Sequence, residues 1–130
     1  MKHRIIVFLA LALSTSLALG DEFTQEDLKR WRAEFNKVME KGEKLFHSPL
    51  GSNHVSCDQC HPNGANTHPE TYPKFQKQLG KVATLREMIN WCLKNPLEGE
   101  PLTLDSDEMI ALEAYITWER RGVPLAPGKH

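Results

Sequence analysis

The densest chemistry in this sequence lies in the pentapeptide Cys57-Asp58-Gln59-Cys60-His61, with a third cysteine, Cys92, further along. Two thiols separated by two residues fall on one side of a single turn, and an imidazole follows at once. That order, C-x-x-C-H, is the attachment signature of a c-type haem. Each thiol can add to a porphyrin vinyl group, and the histidine can meet the iron from the proximal face. Other chemistries use the same residue types. A redox-active C-x-x-C pair wants a βαβ setting, and the flanking sequence shows none. A structural zinc needs four ligands, which Cys57, Cys60, Cys92 and one of His47, His54 or His68 could in principle supply. The adjacent histidine favours haem.

The N-terminus agrees. Lys2, His3 and Arg4 precede a short apolar stretch from Ile5 to Leu13, and Ala18-Leu19-Gly20 forms a small-residue cleavage site before Asp21. Residues 1–20 therefore read as a secretory signal peptide, and residues 21–130 as one monohaem domain. No cysteine follows the cleavage site, so a lipid anchor is not indicated, and no stable membrane anchor is expected after cleavage. The expected location is the periplasm. Thiols oxidise there, and an odd number cannot all pair with one another. Haem attachment uses Cys57 and Cys60 and leaves Cys92 to explain.

Composition removes several other classes. The chain of 130 residues has 16 Lys+Arg against 17 Asp+Glu, a net charge of -1, which argues against binding nucleic acid through phosphate contacts. Loss of residues 1–20 would remove Lys2 and Arg4, leaving 14 basic residues against 17 acidic ones. Charged residues make up 25% and hydrophobic ones 40%, values of a globular domain rather than a disordered tail. No run reaches the ~20 apolar residues of a membrane span. One small core is what this length supports.

The elements that must position the motif are helical. Thr24 and Asp27 form a capping box opening a helix over about residues 25–46. Leu28, Trp31, Phe35, Val38, Met39 and Leu45 give it one apolar stripe, and Gly42 in its interior points to close approach by another helix. From His47 to about Leu79 the chain is rich in Ser, Pro, Asn and Gly, a long irregular segment of the kind that usually carries function. Thr84 and Glu87 cap a second helix that ends at Asn95-Pro96. Ser106, or Asp105 with Glu108, caps a third that runs to about Arg120 and is apolar around most of its circumference. No alternating run marks a strand. The expectation is an all-α domain wrapped on one covalently attached haem, with the first and last helices crossing near Gly42 and Phe46 against Ala114 and Tyr115.

This arrangement resembles the class I cytochrome c domain over about residues 25–122. A narrower likeness rests on Tyr72-Pro73-Lys74-Phe75, on Thr84-Leu85 leading to Ile89-Asn90-Trp91-Cys92, and on Ser106-Asp107-Glu108-Met109 through Tyr115. These segments are similar to bacterial thiosulfate dehydrogenases and to the haem subunit of the sulfur-oxidising multienzyme system. The resemblance implies that the cysteine of the Ile-Asn-x-Cys segment, Cys92, is the axial ligand opposite His61. Cys92 also sits on the apolar helix face with Leu85, Met88, Ile89 and Leu93, and has no cysteine partner. Its bland reading is a small buried hydrophobe. Met109 is the competing ligand, since Met/His pairs are the common cytochrome c arrangement. Met109 falls in the first turn of the last helix, however, and the loop before it holds no methionine. Met39 and Met88 read as ordinary stripe residues, and His47, His54, His68 and His130 as surface imidazoles.

Two departures from the catalytic relatives stand out. Those relatives carry an arginine before the Ile-Asn pair, where this chain has Met88, and Arg86 falls on another side of the helix. Thiosulfate dehydrogenases also carry a second haem domain, and this chain has a single C-x-x-C-H. The expected function is single-electron transfer to or from a periplasmic redox protein or enzyme subunit, with no assembled acid–base constellation. The alternative is the haem subunit of a sulfur-oxidising (thiosulfate) enzyme that uses Cys92 at the iron.

Overall fold

In the computed structural model, residues 23–130 are described. The signal-peptide reading lies outside that range. Helix α1 spans Gln25–Phe46, and its N-cap Thr24 exchanges both hydrogen bonds of a capping box with Asp27. A single turn, α2, covers Cys57–Cys60. Two short 3-10 turns follow at Pro62–Gly64 and Pro69–Thr71. Strands β1 (Lys74–Gln76) and β2 (Lys81–Ala83) pair antiparallel, and then come α3 (Leu85–Lys94) and α4 (Asp107–Glu119).

The organising contact is between α1 and α4. A Cβ on Gly42 would lie 1.9 Å from the Ala111 carbonyl oxygen and 2.8 Å from the Tyr115 Cβ, so only glycine permits this approach. The crossing thus meets Ala111 and Tyr115, one turn earlier than the expected Ala114. Phe46 packs its ring on Tyr115 with centroids 5.1 Å apart. Phe46, Met109 and Leu112 are the largest fully buried side chains, joined in one cluster by Leu85, Ile89, Leu93 and Leu97. Burying each such side chain contributes roughly 1.5–3 kcal/mol. Helix α3 adds its own capping box, Thr84 with Glu87, and α4 is capped by Ser106 alone through the Met109 N–H.

Two expectations need correction. The apolar stripe of α1 is buried only toward its C-terminal end, and Leu28, Trp31 and Phe35 are each more than 40% exposed. Phe35 still meets Trp118 near the end of α4, with ring centroids 5.9 Å apart, while Leu28 and Trp31 lie further along α1, so the repeat that marked the helix does not mark a core. The second correction is the β1–β2 hairpin. It alternates in the opposite sense to an ordinary core strand: Phe75 and Val82 form an exposed cross-strand pair, while Lys74 and Gln76 point inward. At three residues per strand, and with the polar side chains inside, no hydrophobic alternation announces it.

The irregular segment is held by specific polar contacts. Glu70 is buried and meets Arg120 beyond the end of α4 at 3.2 Å and His68 at 3.0 Å, while its carbonyl accepts the Ala126 N–H at 2.8 Å. Burial works to raise the Glu70 carboxyl. Hydrogen bonds from its own backbone, His68 and Arg120 outweigh that and bring its pKa from 4.5 to about 2.

Two outcomes follow from this packing. Gly42→Ala should destabilise the haem-loaded protein by about 3 kcal/mol in chemical denaturation, since the helices must part. Helix propensity alone would make the same change stabilising. Glu70→Gln should cost about 1–3 kcal/mol at neutral pH because Arg120 loses its charged partner. A carboxyl with a depressed folded pKa contributes stability that is present above its unfolded value and lost as pH falls through the folded one. The deficit of Glu70→Gln should therefore shrink as pH drops from 4.5 toward 2, as read by thermal melts across that range.

Candidate functional site: the cavity between the cysteine turn and the middle helix

Helix α2 is only one turn long, which is what the motif requires. Its i,i+3 spacing places Cys57 and Cys60 on neighbouring positions. The turn closes with the His61 N–H donating to the Cys57 carbonyl at 2.9 Å. Pro62 then starts the next tight turn, which reverses the chain and brings the Ala65 carbonyl within 2.9 Å of His61 Nδ1. A carbonyl can only accept, so Nδ1 carries the proton and Nε2 is left with its lone pair. That is the tautomer a metal-binding imidazole needs, set by a partner outside the metal site. At Gly64, φ is +68° and an added Cβ would sit 2.9 Å from the Glu119 Cβ, so this turn packs tightly on α4.

Above the turn is a cavity of about 260 Å³. Cys57 and His61 line it from the motif, and Leu85, Met88, Ile89, Cys92 and Leu93 line it from α3. Phe46, Leu112 and Ile116 add apolar wall, whereas Asn66, Thr67, Tyr72, Lys74 and Gln76 form a polar edge. Lys74 Nζ stands 5.0 Å from the centroid of the Tyr72 ring, whose hydroxyl accepts a hydrogen bond from Gln76. Burial is the main reason that the Cys57 thiol is pushed up to about 11, with Cys92 and Asp58 adding to it. Burial likewise raises Cys92. Both sulfurs thus hold their protons in the bare chain, and metal ligation by Cys92 would displace one.

The predicted site residues separate cleanly. Cys57, His61 and Cys92 meet at one cavity, and Cys60 lies exposed at the outer end of the turn. Met109 is buried in the helical core and does not line the cavity. The surface histidines are elsewhere: His47 bridges Asp58 at 3.1 Å and Tyr115 at 3.3 Å, and His68 contacts Glu70. No group of three or more His, Cys, Asp or Glu side chains gathers to hold a bare ion among the described residues, so the zinc arrangement is not assembled. Arg86 is turned away from the cavity into a 2.6 Å ion pair with Glu113. The sequence reading missed the polar edge, because Lys74 and Gln76 sit on the unforeseen hairpin.

An imidazole with a free Nε2, a pair of spaced thiols and a third sulfur across an apolar cavity form a donor set suited to haem c. Comparison with known proteins decides the matter, because residues 41–125 match the family model described as the SoxA/TsdA cytochrome c domain. The chain belongs to that family. The thiosulfate dehydrogenase of Psychrobacter arcticus is 35% identical over 81 residues, covering 56% of this chain and 25% of that protein. The L-cysteine S-thiosulfotransferase subunit SoxA of Pseudaminobacter salicylatoxidans is 24% identical over 96 residues, covering 66% and 33%. The crystal structure of SoxXA from P. pantotrophus superposes with a TM-score of 0.67 at 21% identity, covering 78% of this chain and 40% of that one. The chain thus spans about a quarter to a third of the length of the curated relatives it matches. This SoxA/TsdA-type domain is a haem c-binding cytochrome fold. Haem supplies a one-electron centre, and Cys57, Cys60 and His61 are the residues that would hold it.

If Cys92 is the remaining ligand, the oxidised protein should give a low-spin ferric electron paramagnetic resonance signal of the thiolate type. Cys92→Ala should lose that signal and raise the reduction potential, because a thiolate stabilises the ferric state. Covalent haem should survive, since Cys57 and Cys60 remain.

Proposed function

We propose that the chain is a periplasmic single-electron carrier with one covalent haem c, His61 as proximal ligand and Cys92 as the other axial ligand. The observation that carries this reading is the meeting of Cys57, His61 and Cys92 at one cavity that no arginine lines. His61, oriented by the Ala65 carbonyl, would present Nε2 to the metal. Ile89, Leu93, Leu112 and Ile116 would give a bound haem an apolar wall. Contacts with a redox partner are expected to be small and transient. The periplasmic assignment rests on the leader reading of residues 1–20. No helix among the described residues is long and apolar enough to cross a membrane.

A second reading has its own support. Relatives are named thiosulfate dehydrogenase and L-cysteine S-thiosulfotransferase subunit SoxA, so this domain could be the haem subunit of a sulfur-oxidising enzyme. The two readings part in one experiment. Mixed in stopped flow with thiosulfate, the oxidised protein should stay oxidised, while small one-electron donors reduce it rapidly. Thiosulfate-dependent haem reduction, alone or with a co-expressed subunit, would replace the carrier by the enzyme.

A further inference from the structure

Met88 brings a further sulfur to the cavity that Cys57, His61 and Cys92 line. It precedes Cys92 by one helical turn on α3, and both side chains line the same cavity as His61. We propose that Met88 is a second iron ligand, whose thioether takes the sixth position from Cys92 when the iron is reduced. The proposal rests on the reading of His61 and Cys92 as the ferric ligand pair and deepens it.

The helix that carries both sulfurs is fixed. Its first turn is held by the Thr84–Glu87 capping box. Its middle is pinned by Asn90, whose side chain donates to the Leu102 carbonyl at 2.7 Å and accepts the Leu102 N–H at 2.8 Å. Leu85, Ile89 and Leu93 bury its core side. A change of ligand therefore needs side-chain rotation and no movement of the helix. Methionine suits this, being unbranched and freely rotating. The other donors in the lining, Tyr72 and Lys74, belong to the polar edge on the hairpin side and not to α3. The aliphatic residues cannot ligate, Cys57 is consumed by the porphyrin, and Lys74 Nζ is engaged over the Tyr72 ring.

The chemistry gives the exchange its direction. An anionic thiolate favours ferric iron, and a neutral, soft thioether favours ferrous iron. One electron enters the ferric iron, and the bond from iron to the Cys92 sulfur breaks. The electron pair stays on that sulfur, which takes one proton from water. A lone pair of the Met88 sulfur then makes the new bond to iron. Oxidation reverses each step and returns the proton to water.

The test uses the haem-loaded protein, Met88→Leu, Cys92→Ala and the double variant. The reduced parent should show a methionine methyl proton resonance shifted far upfield by the porphyrin ring current. Met88→Leu should lose that resonance and bind carbon monoxide readily when reduced, yet keep the parent's thiolate-type ferric signal. Cyclic voltammetry at fast scan rates should separate reduction and reoxidation waves in the parent, and Met88→Leu should collapse them to one low-potential couple. Cys92→Ala should keep the upfield methyl, and the double variant should lose it. A reduced parent with no upfield methyl overturns the proposal, even if a variant fails to fold. So does a Met88→Leu protein that keeps the parent's ferrous spectrum. If Cys92→Ala leaves the ferric signal unchanged, the failure lies instead with the ligand pair on which the proposal rests.

Discussion

The close crossing of α1 and α4 at Gly42 governs the geometry of everything around the cavity. With no Cβ at Gly42, the Ala111 backbone comes within contact distance, and that sets Phe46 against Tyr115. His47, the residue after α1, is then placed between the Tyr115 hydroxyl and Asp58 inside the cysteine motif. Ser56, next to Cys57, also donates to Asp58, and the contact of Asp58 with His47 ties that turn to the helix crossing. Gly64 extends the same logic on the other side of His61, where the backbone lies against Glu119 near the end of α4. The motif is thus anchored to the helical pair at both of its ends.

The opposite wall depends on contacts of another kind. α3 is attached to the loop behind it by the paired hydrogen bonds between Asn90 and Leu102, and Arg86 reaches across to Glu113 and the Leu104 carbonyl. The bridge between Gly51 and Gly99 fastens the segment before the motif to the segment after α3. These are polar links around an apolar face. They let Leu85, Ile89 and Leu93 serve two surfaces at once, the core of the bare chain and the wall of the cavity. A helix held this way keeps its place whether or not its inner face is covered.

What could be read from the residues follows from which signals are local. Capping boxes at Thr24 and Thr84 and the cap at Ser106 act over three residues, so the helix bounds are legible without any tertiary knowledge. The motif is legible because its chemistry fixes its spacing. The loss of burial toward the N-terminus of α1 is not local: it depends on where α4 stops, which the repeat of Leu28 and Trp31 cannot report. The hairpin fails for a different reason. Its inward residues, Lys74 and Gln76, face a cavity edge that is polar, so the rule that core faces are apolar misses it. Met88 was placed on the correct face by its spacing from Cys92, but face alone does not separate a packing side chain from one open to the cavity.

The charges around that cavity bear on what it can hold. A thiolate at Cys92 and an oxyanion beside it repel each other, and two unit charges 4 Å apart interact by about 4 kcal/mol at the effective dielectric of a protein surface. A guanidinium on α3 would offset that. Here the arginine of α3, Arg86, is committed to Glu113 and does not line the cavity. Lys74 is the cation among the lining side chains, and it approaches from the hairpin side, over the Tyr72 ring. The wall next to Cys92 is instead Met88, Ile89 and Leu93, three side chains that neither neutralise an anion nor donate a hydrogen bond to one. An electron needs no such partner. Were haem bound here, an electron reaching it would arrive at a site walled on the α3 side by neutral sulfur and hydrocarbon.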